Sequence, residues 1–85
     1  MKTREEILAD IVMVIHEQLE IEAKDIKESD YLYEDLCLDS LEMMELVAWI
    51  EAFYGIEIDT DDIDQMYDMT IEELISMVEK FLNWC

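Results

Sequence analysis

The residues equipped for chemistry are few: one histidine, His16; two cysteines, Cys37 and Cys85; an acidic run at Asp59, Asp61, Asp62 and Asp64; and a serine, Ser40, between Asp39 and Leu41. His16 sits on the edge of a helical apolar stripe, with no Gly-x-Ser-x-Gly elbow and no nucleophile beside it, so hydrolysis is not expected. The cysteines form no CxxC or Cys/His spacing; zinc is not expected, no disulfide is required, and both read as free thiols, Cys37 as a small loop side chain. A calcium loop started at Asp59 puts Ile63 at its fifth position, Asp64 where Gly is needed and Thr70 at its twelfth. Weak, non-specific divalent binding is expected there, and no specific metal site.

Ser40 is different. The tripeptide Asp39-Ser40-Leu41 puts its hydroxyl in the first turn of a helix at the end of a long loop, where it is open to modification. Helix N-termini carry unpaired N–H groups and the positive end of the macrodipole, so a phosphodiester on Ser40 is tolerated despite the neighbouring acids. On its own, a serine at this place is also an ordinary helix-terminus residue. Its surroundings decide.

Those surroundings begin with charge. The 85 residues carry 24 Asp plus Glu against 5 Lys plus Arg, a net charge of -19, yet 53% are hydrophobic. Disorder needs too little apolar surface to offset the entropy of ordering, and this chain has enough to fold. The length allows a single domain, residues 1–85, with a small core. Five basic residues cannot neutralise a phosphate backbone, so nucleic acid is excluded as a ligand. No apolar run is longer than that from Ile11 to Ile15, which cannot span a bilayer, and an acidic surface is repelled by anionic lipid. The start of the chain has acids where a signal peptide needs an apolar stretch, so a cytoplasmic monomer with no membrane association is the expectation.

Pro is absent and Gly occurs once, so an all-α fold is predicted. Thr3 and Glu6 form a capping-box pattern, and Ile7, Leu8, Ile11, Val12, Ile15 and Leu19 recur at helical spacing, giving a first helix over about 4–20. From 20 to 38 the periodicity fails; Ile21, Ile26, Leu32 and Leu36 are available to anchor a long loop, with one helical turn near Tyr33 to Leu36. Asp39, with Glu42 three residues on, caps a second helix that runs to about Tyr54, where Gly55 offers a left-handed stop. Thr60 opens a short acidic third helix anchored by Ile63 and Met66. Thr70 with Glu73 caps a fourth, whose apolar face is Ile71, Leu74, Ile75, Val78, Phe81 and Leu82. Met13, Met43, Met66 and Met77 fit core or core-edge spacing, and Trp49, Trp84 and Cys85 read as packing or tail residues.

At about 100° per residue, Met43, Leu46, Val47, Ile50, Phe53 and Tyr54 share one arc of the second helix, its predicted core face. Leu41, Met44 and Ala48 cluster on the opposite side, flanked by Glu42, Glu45 and Glu51. They read either as scattered surface apolar groups or contacts with the preceding loop, or as a docking strip for a basic protein surface, with charge steering the encounter and apolar contacts adding affinity.

The segment Glu34-Asp35-Leu36-Cys37-Leu38-Asp39-Ser40-Leu41-Glu42, followed by Glu45-Leu46-Val47 and, after the helix, Ile56-Glu57-Ile58, resembles the acyl carrier protein family. The order and spacing of the helices agree over nearly the whole chain. The resemblance implies a four-helix bundle with a long loop between helices one and two and a short third helix. It implies that the chain is not an enzyme, and that Ser40 receives 4'-phosphopantetheine from coenzyme A through a phosphopantetheinyl transferase. The thiol of that arm would hold acyl groups as thioesters and shuttle them between fatty acid or polyketide synthesis enzymes. Asp39, Glu42, Glu45 and Glu51 match acidic positions of partner recognition, and Leu41 and Met44 apolar ones, for synthase and acyltransferase enzymes with basic docking patches. Cys37 stands where the family usually has Gly, so a positive-φ loop conformation is expected to be strained or absent there. The same prosthetic group serves peptidyl and D-alanyl carriers, the nearest alternative; a small acidic inhibitor or nucleic-acid mimic is the alternative from a different class.

Overall fold

The computed structural model describes residues 3–83. It contains α1 (Arg4–Leu19), a 3-10 turn (Ala23–Asp25), α2 (Ser40–Tyr54), α3 (Thr60–Met66) and α4 (Ile71–Leu82). The three long helices start where their capping residues predict. Thr3, Asp39 and Thr70 each accept a hydrogen bond from the third helical residue, while Glu6, Glu42 and Glu73 reach back to the cap backbone. The short α3 has Asp59 at its N-cap and no side-chain cap bond. Gly55 closes α2 in the left-handed region at φ 68°, the one glycine of the chain used where an L side chain is disfavoured.

The core is apolar throughout, with no buried polar or charged residue among those described. Ile7, Ile11, Val14 and Ile15 of α1 meet Ile71, Leu74, Ile75 and Val78 of α4, and Met43, Leu46, Val47 and Ile50 of α2 close the bundle. Val14 joins this set although the predicted stripe of α1 passed it by. Arg4 ties the start of α1 to α4: its guanidinium donates to Ser76 Oγ at 3.0 Å and to the Glu72 carbonyl at 3.3 Å, and pairs with Glu79.

The loop from 20 to 38 is ordered by burial and by backbone pairing. Ile26, Leu32, Leu36 and Leu38 are all buried in the core. Its backbone docks on the link between α3 and α4: Leu32 N–H donates to Met69 O at 3.0 Å, Ile71 N–H to Asp30 O at 3.0 Å and Glu72 N–H to Glu28 O at 2.9 Å. An isolated antiparallel bridge, Tyr31 with Thr70, lies at the centre of this seam. The expected helical turn near Tyr33 to Leu36 is present as isolated turns that do not extend into a helix, in which Asp35 N–H and Cys37 N–H reach back four residues to Tyr31 O and Tyr33 O. The regular turn of the loop is the 3-10 turn at Ala23–Asp25, which carries no apolar periodicity to announce it.

Two further expectations are corrected. Phe53 lies outside the core of α2, 49% exposed, with its ring stacked on Trp49 at 4.6 Å between centroids. Met13 is 47% exposed, because the core face of α1 centres on Ile7, Ile11 and Ile15 and leaves position 13 on the far side. At Cys37, of the two outcomes expected, the strained one is found: the residue holds the left-handed conformation that its side chain disfavours, at φ 58°. Trp84 and Cys85 lie outside the described residues.

Candidate functional site

Ser40 is the first residue of α2, and the chain on either side of it is held firmly. Leu36 and Leu38 point inward and are buried, while Cys37, Asp39 and Ser40 are exposed, an in-and-out alternation that turns the serine to solvent. Leu38 N–H donates to Leu32 O at 3.1 Å, and Met43 N–H to Asp39 O at 2.8 Å closes the first helical turn. Asp39 Oδ1 accepts from Glu42 N–H at 2.8 Å, and Glu42 Oε1 from Asp39 N–H at 3.2 Å. The capping box therefore fixes the backbone on both sides of Ser40.

Its hydroxyl has no hydrogen-bond partner among the described residues, and the N–H groups of Ser40 and Leu41 make no backbone bond to the preceding loop. A phosphate ester carried on Oγ would meet open N–H groups at the positive end of a four-turn helix. The donor set fits that group. His16, near the end of α1, is engaged elsewhere: its Nδ1 bonds the Ile21 carbonyl just beyond the helix.

The expected docking residues divide into two sets. Leu41 is 68% exposed, Met44 48%, and Ala48 is exposed with them, so the strip opposite the core face of α2 stands in solvent. Asp39 and Glu45 border it, and Glu45 Oε2 also accepts from Gln18 Nε2 of α1 at 3.1 Å. Glu42 and Glu51 are half-buried and already engaged. Glu42 serves the cap, and Glu51 Oε2 accepts from Ile58 N–H at 2.9 Å while its carbonyl takes the Gly55 and Ile56 N–H groups, so Glu51 clamps the joint between α2 and α3.

Sequence reasoning placed Phe53 and Tyr54 on the core face of α2 and read Trp49 as a packing residue, without joining the three into a cluster. Trp49, Phe53 and Tyr54 contact one another, and Tyr54 Oη donates to Asp10 Oδ2 of α1 at 2.8 Å. Burial, then the hydrogen bond to Asp10 and its charge, pushes the Tyr54 phenol above the usual tyrosine range. The i, i+4 spacing of Trp49 and Phe53 was the available signal. Nothing local connects Tyr54 to Asp10.

A small helical domain that presents an exposed hydroxyl at the head of a capped helix, beside an apolar strip bordered by acids, has the form of a carrier. A family model described as phosphopantetheine attachment site matches residues 9–78. The acyl carrier protein of Thermotoga maritima is 32% identical over 83 residues, covering 98% of this chain and 100% of that protein. That of Cyanophora paradoxa is 39% identical over 70 residues, 81% of this chain and 66% of the relative. The meromycolate extension acyl carrier protein of Mycobacterium tuberculosis is 32% identical over 78 residues, 92% and 66% of the two chains. The chain belongs to the acyl carrier protein family, and its prosthetic group is 4'-phosphopantetheine.

Proposed function

We propose that Ser40 Oγ is the attachment point of the 4'-phosphopantetheine arm, transferred from coenzyme A by a phosphopantetheinyl transferase. Residues 1–85 act as one carrier domain for acyl groups of fatty acid or polyketide synthesis. The observation that carries this reading is the exposed, unpartnered hydroxyl of Ser40, held by the Asp39–Glu42 capping box at the N-terminus of α2. Family membership supplies the group, and the exposed hydroxyl at the head of a capped helix supports Ser40 as the residue that bears it. When bound, the arm supplies a flexible thiol on which acyl groups ride as thioesters. The chain's own part is to present the ester linkage, offer helix N–H groups to its phosphate and dock the enzymes that load and unload the arm.

Docking is assigned to the exposed side of α2. Leu41, Met44 and Ala48 give apolar contact, and Asp39 and Glu45 give charge complementary to a basic enzyme patch. Glu42 and Glu51 add to the field while their carboxylates hold the two ends of the helix. No helix among the described residues is long and apolar enough to cross a membrane. A cytoplasmic monomer that meets synthases and acyltransferases by diffusion agrees with that and with a net charge of -19.

Intact mass after incubation with coenzyme A and a broad-specificity phosphopantetheinyl transferase tests the assignment. A single phosphopantetheine addition to the parent chain, absent from Ser40→Ala, is the expected result. No addition to a folded parent chain, or an addition that persists in Ser40→Ala, would remove the serine from this role.

A further inference from the structure

The phosphopantetheine group that this family carries ends in a thiol, and the matched residues 9–78 hold a thiol of their own beside the proposed attachment point. Cys37 is free and exposed, three residues before Ser40. We propose that Cys37 is the covalent partner of the arm: under oxidising conditions its Sγ forms an intramolecular disulfide with the terminal thiol, which stops acyl loading until the bond is reduced. This inference rests on Ser40 as the residue that bears the arm.

Placement brings the two sulfurs together. Leu36 and Leu38 are buried on either side of Cys37, so its side chain stands on the solvent face that also shows Asp39 and Ser40. The backbone is fixed there. Cys37 N–H donates to Tyr33 O at 3.1 Å, Leu38 N–H donates to Leu32 O at 3.1 Å, and the Asp39–Glu42 capping box holds the head of α2. Three residues of chain span at most about 11 Å. A flexible arm anchored within that span keeps its thiol near Cys37 at an effective concentration of about 1 mM.

Residue choice points the same way. The backbone at φ 58° favours glycine, yet the chain keeps a side chain there, and that side chain is a thiol. Charge then selects the internal partner over external ones. Glu34, Asp35, Asp39 and Glu42 surround Cys37 in sequence, in a molecule of net charge -19, which keeps anionic thiols such as glutathione scarce at this surface. A tethered thiol does not diffuse away.

The oxidant is a low-molecular-weight disulfide. Cys37 gives up its thiol proton and attacks one sulfur of that disulfide, expelling the other as a thiolate that takes the proton up. The bond from Cys37 to the small thiol is then exchanged for a bond to the arm's sulfur, whose proton goes to the second departing thiolate. Two thiols of the carrier are oxidised by two electrons, and one small disulfide is reduced to two thiols. The carrier loses two hydrogens and has no thiol left on the arm to form a thioester.

The test uses the full chain as Cys85→Ser, which leaves Cys37 and the arm as its only thiols. The holo form is made with coenzyme A and a phosphopantetheinyl transferase, its loading confirmed by intact mass, and it is then incubated with oxidised glutathione. The expected product is a monomer lighter than the reduced holo chain by two hydrogens and restored by dithiothreitol. At about 10 µM protein, that ring is expected to outnumber the disulfide-linked dimer about a hundredfold. It is expected to be absent from the apo chain, from Cys37→Ser and from Cys37→Gly, the last of which relieves the left-handed strain and so keeps its fold. Glutathione adducts or dimers of the holo chain without the ring, or a ring that persists in Cys37→Ser, would overturn the proposal. A chain that never takes up phosphopantetheine would overturn it together with the assignment of Ser40, and the first mass measurement tells that outcome apart.

Discussion

At the scale of single residues, two side chains carry tension that substitution can release. Cys37 sits at φ 58° with its amide bonded to Tyr33 O, so the loop before Ser40 keeps a left-handed residue without a glycine to ease it. An L residue there loses about 1–2 kcal/mol, and glycine returns part of that through the entropy of the unfolded chain. Cys37→Gly is therefore expected to stabilise the fold by about 0.5–1 kcal/mol, read as a higher urea midpoint with an unchanged slope. Tyr54 gives the pH prediction. Its folded-state pKa is raised, first by burial and then by Asp10, so the folded chain keeps this proton where the unfolded chain releases it. Stability is then intact below the ordinary tyrosine range and falls as pH climbs through about 10, where the unfolded phenol ionises. Tyr54→Phe should flatten that alkaline fall in denaturation midpoints; a fall of the same slope would separate Tyr54 from it.

At the scale of elements, α2 and α4 start with the same device but serve different ends. Asp39 and Thr70 each bond the third amide of their helix. Removing either cap as Asp39→Ala or Thr70→Ala is expected to cost about 1 kcal/mol, a drop in Tm of about 4–8 °C for a domain of this size. The two should part company in loading. Only α2 presents Ser40, so Asp39→Ala is expected to slow phosphopantetheine transfer severalfold while Thr70→Ala, equally destabilised, loads at the parent rate. Initial rates by intact mass, compared at matched fraction folded, make the distinction.

The whole molecule is small, acidic and built on an apolar core. Arg4 pairs with Glu79 and Lys24 with Glu22, and with 5 Lys plus Arg against 24 Asp plus Glu most of the acids meet no positive partner. The molecule measures 34 × 25 × 20 Å. The screening length is about 30 Å at 0.01 M salt and about 10 Å at 0.1 M, so at low salt every acid repels every other across the fold and at moderate salt only neighbours do. Tm is expected to rise by several degrees between those conditions, and further with millimolar magnesium, in thermal melts followed by circular dichroism. A flat response would mean that repulsion is not what limits this fold.

The sequence by itself determined the features that rest on rules spanning three or four residues. The three capping boxes, the glycine stop after α2, the apolar stripes of α1 and α4 and the position of Ser40 at a helix head all follow from local hydrogen bonding and helical period. Family resemblance was legible there too, because it resides in the short run through Asp39-Ser40-Leu41. The tertiary structure decided what joins residues far apart. Residues 28–32 pair with 69–72 because the backbone groups of a loop pinned down by Ile26, Leu32, Leu36 and Leu38 need partners, and the α3–α4 link lies within reach. That docking, together with the two turns leading to Leu36 and Leu38, holds Cys37 in its left-handed conformation. Phe53 lies outward because α2 is covered only along part of its apolar arc, and Met13 because it sits on the side of α1 opposite Ile7, Ile11 and Ile15. The pairing of Gln18 with Glu45 across 27 residues exists only once α1 and α2 have packed.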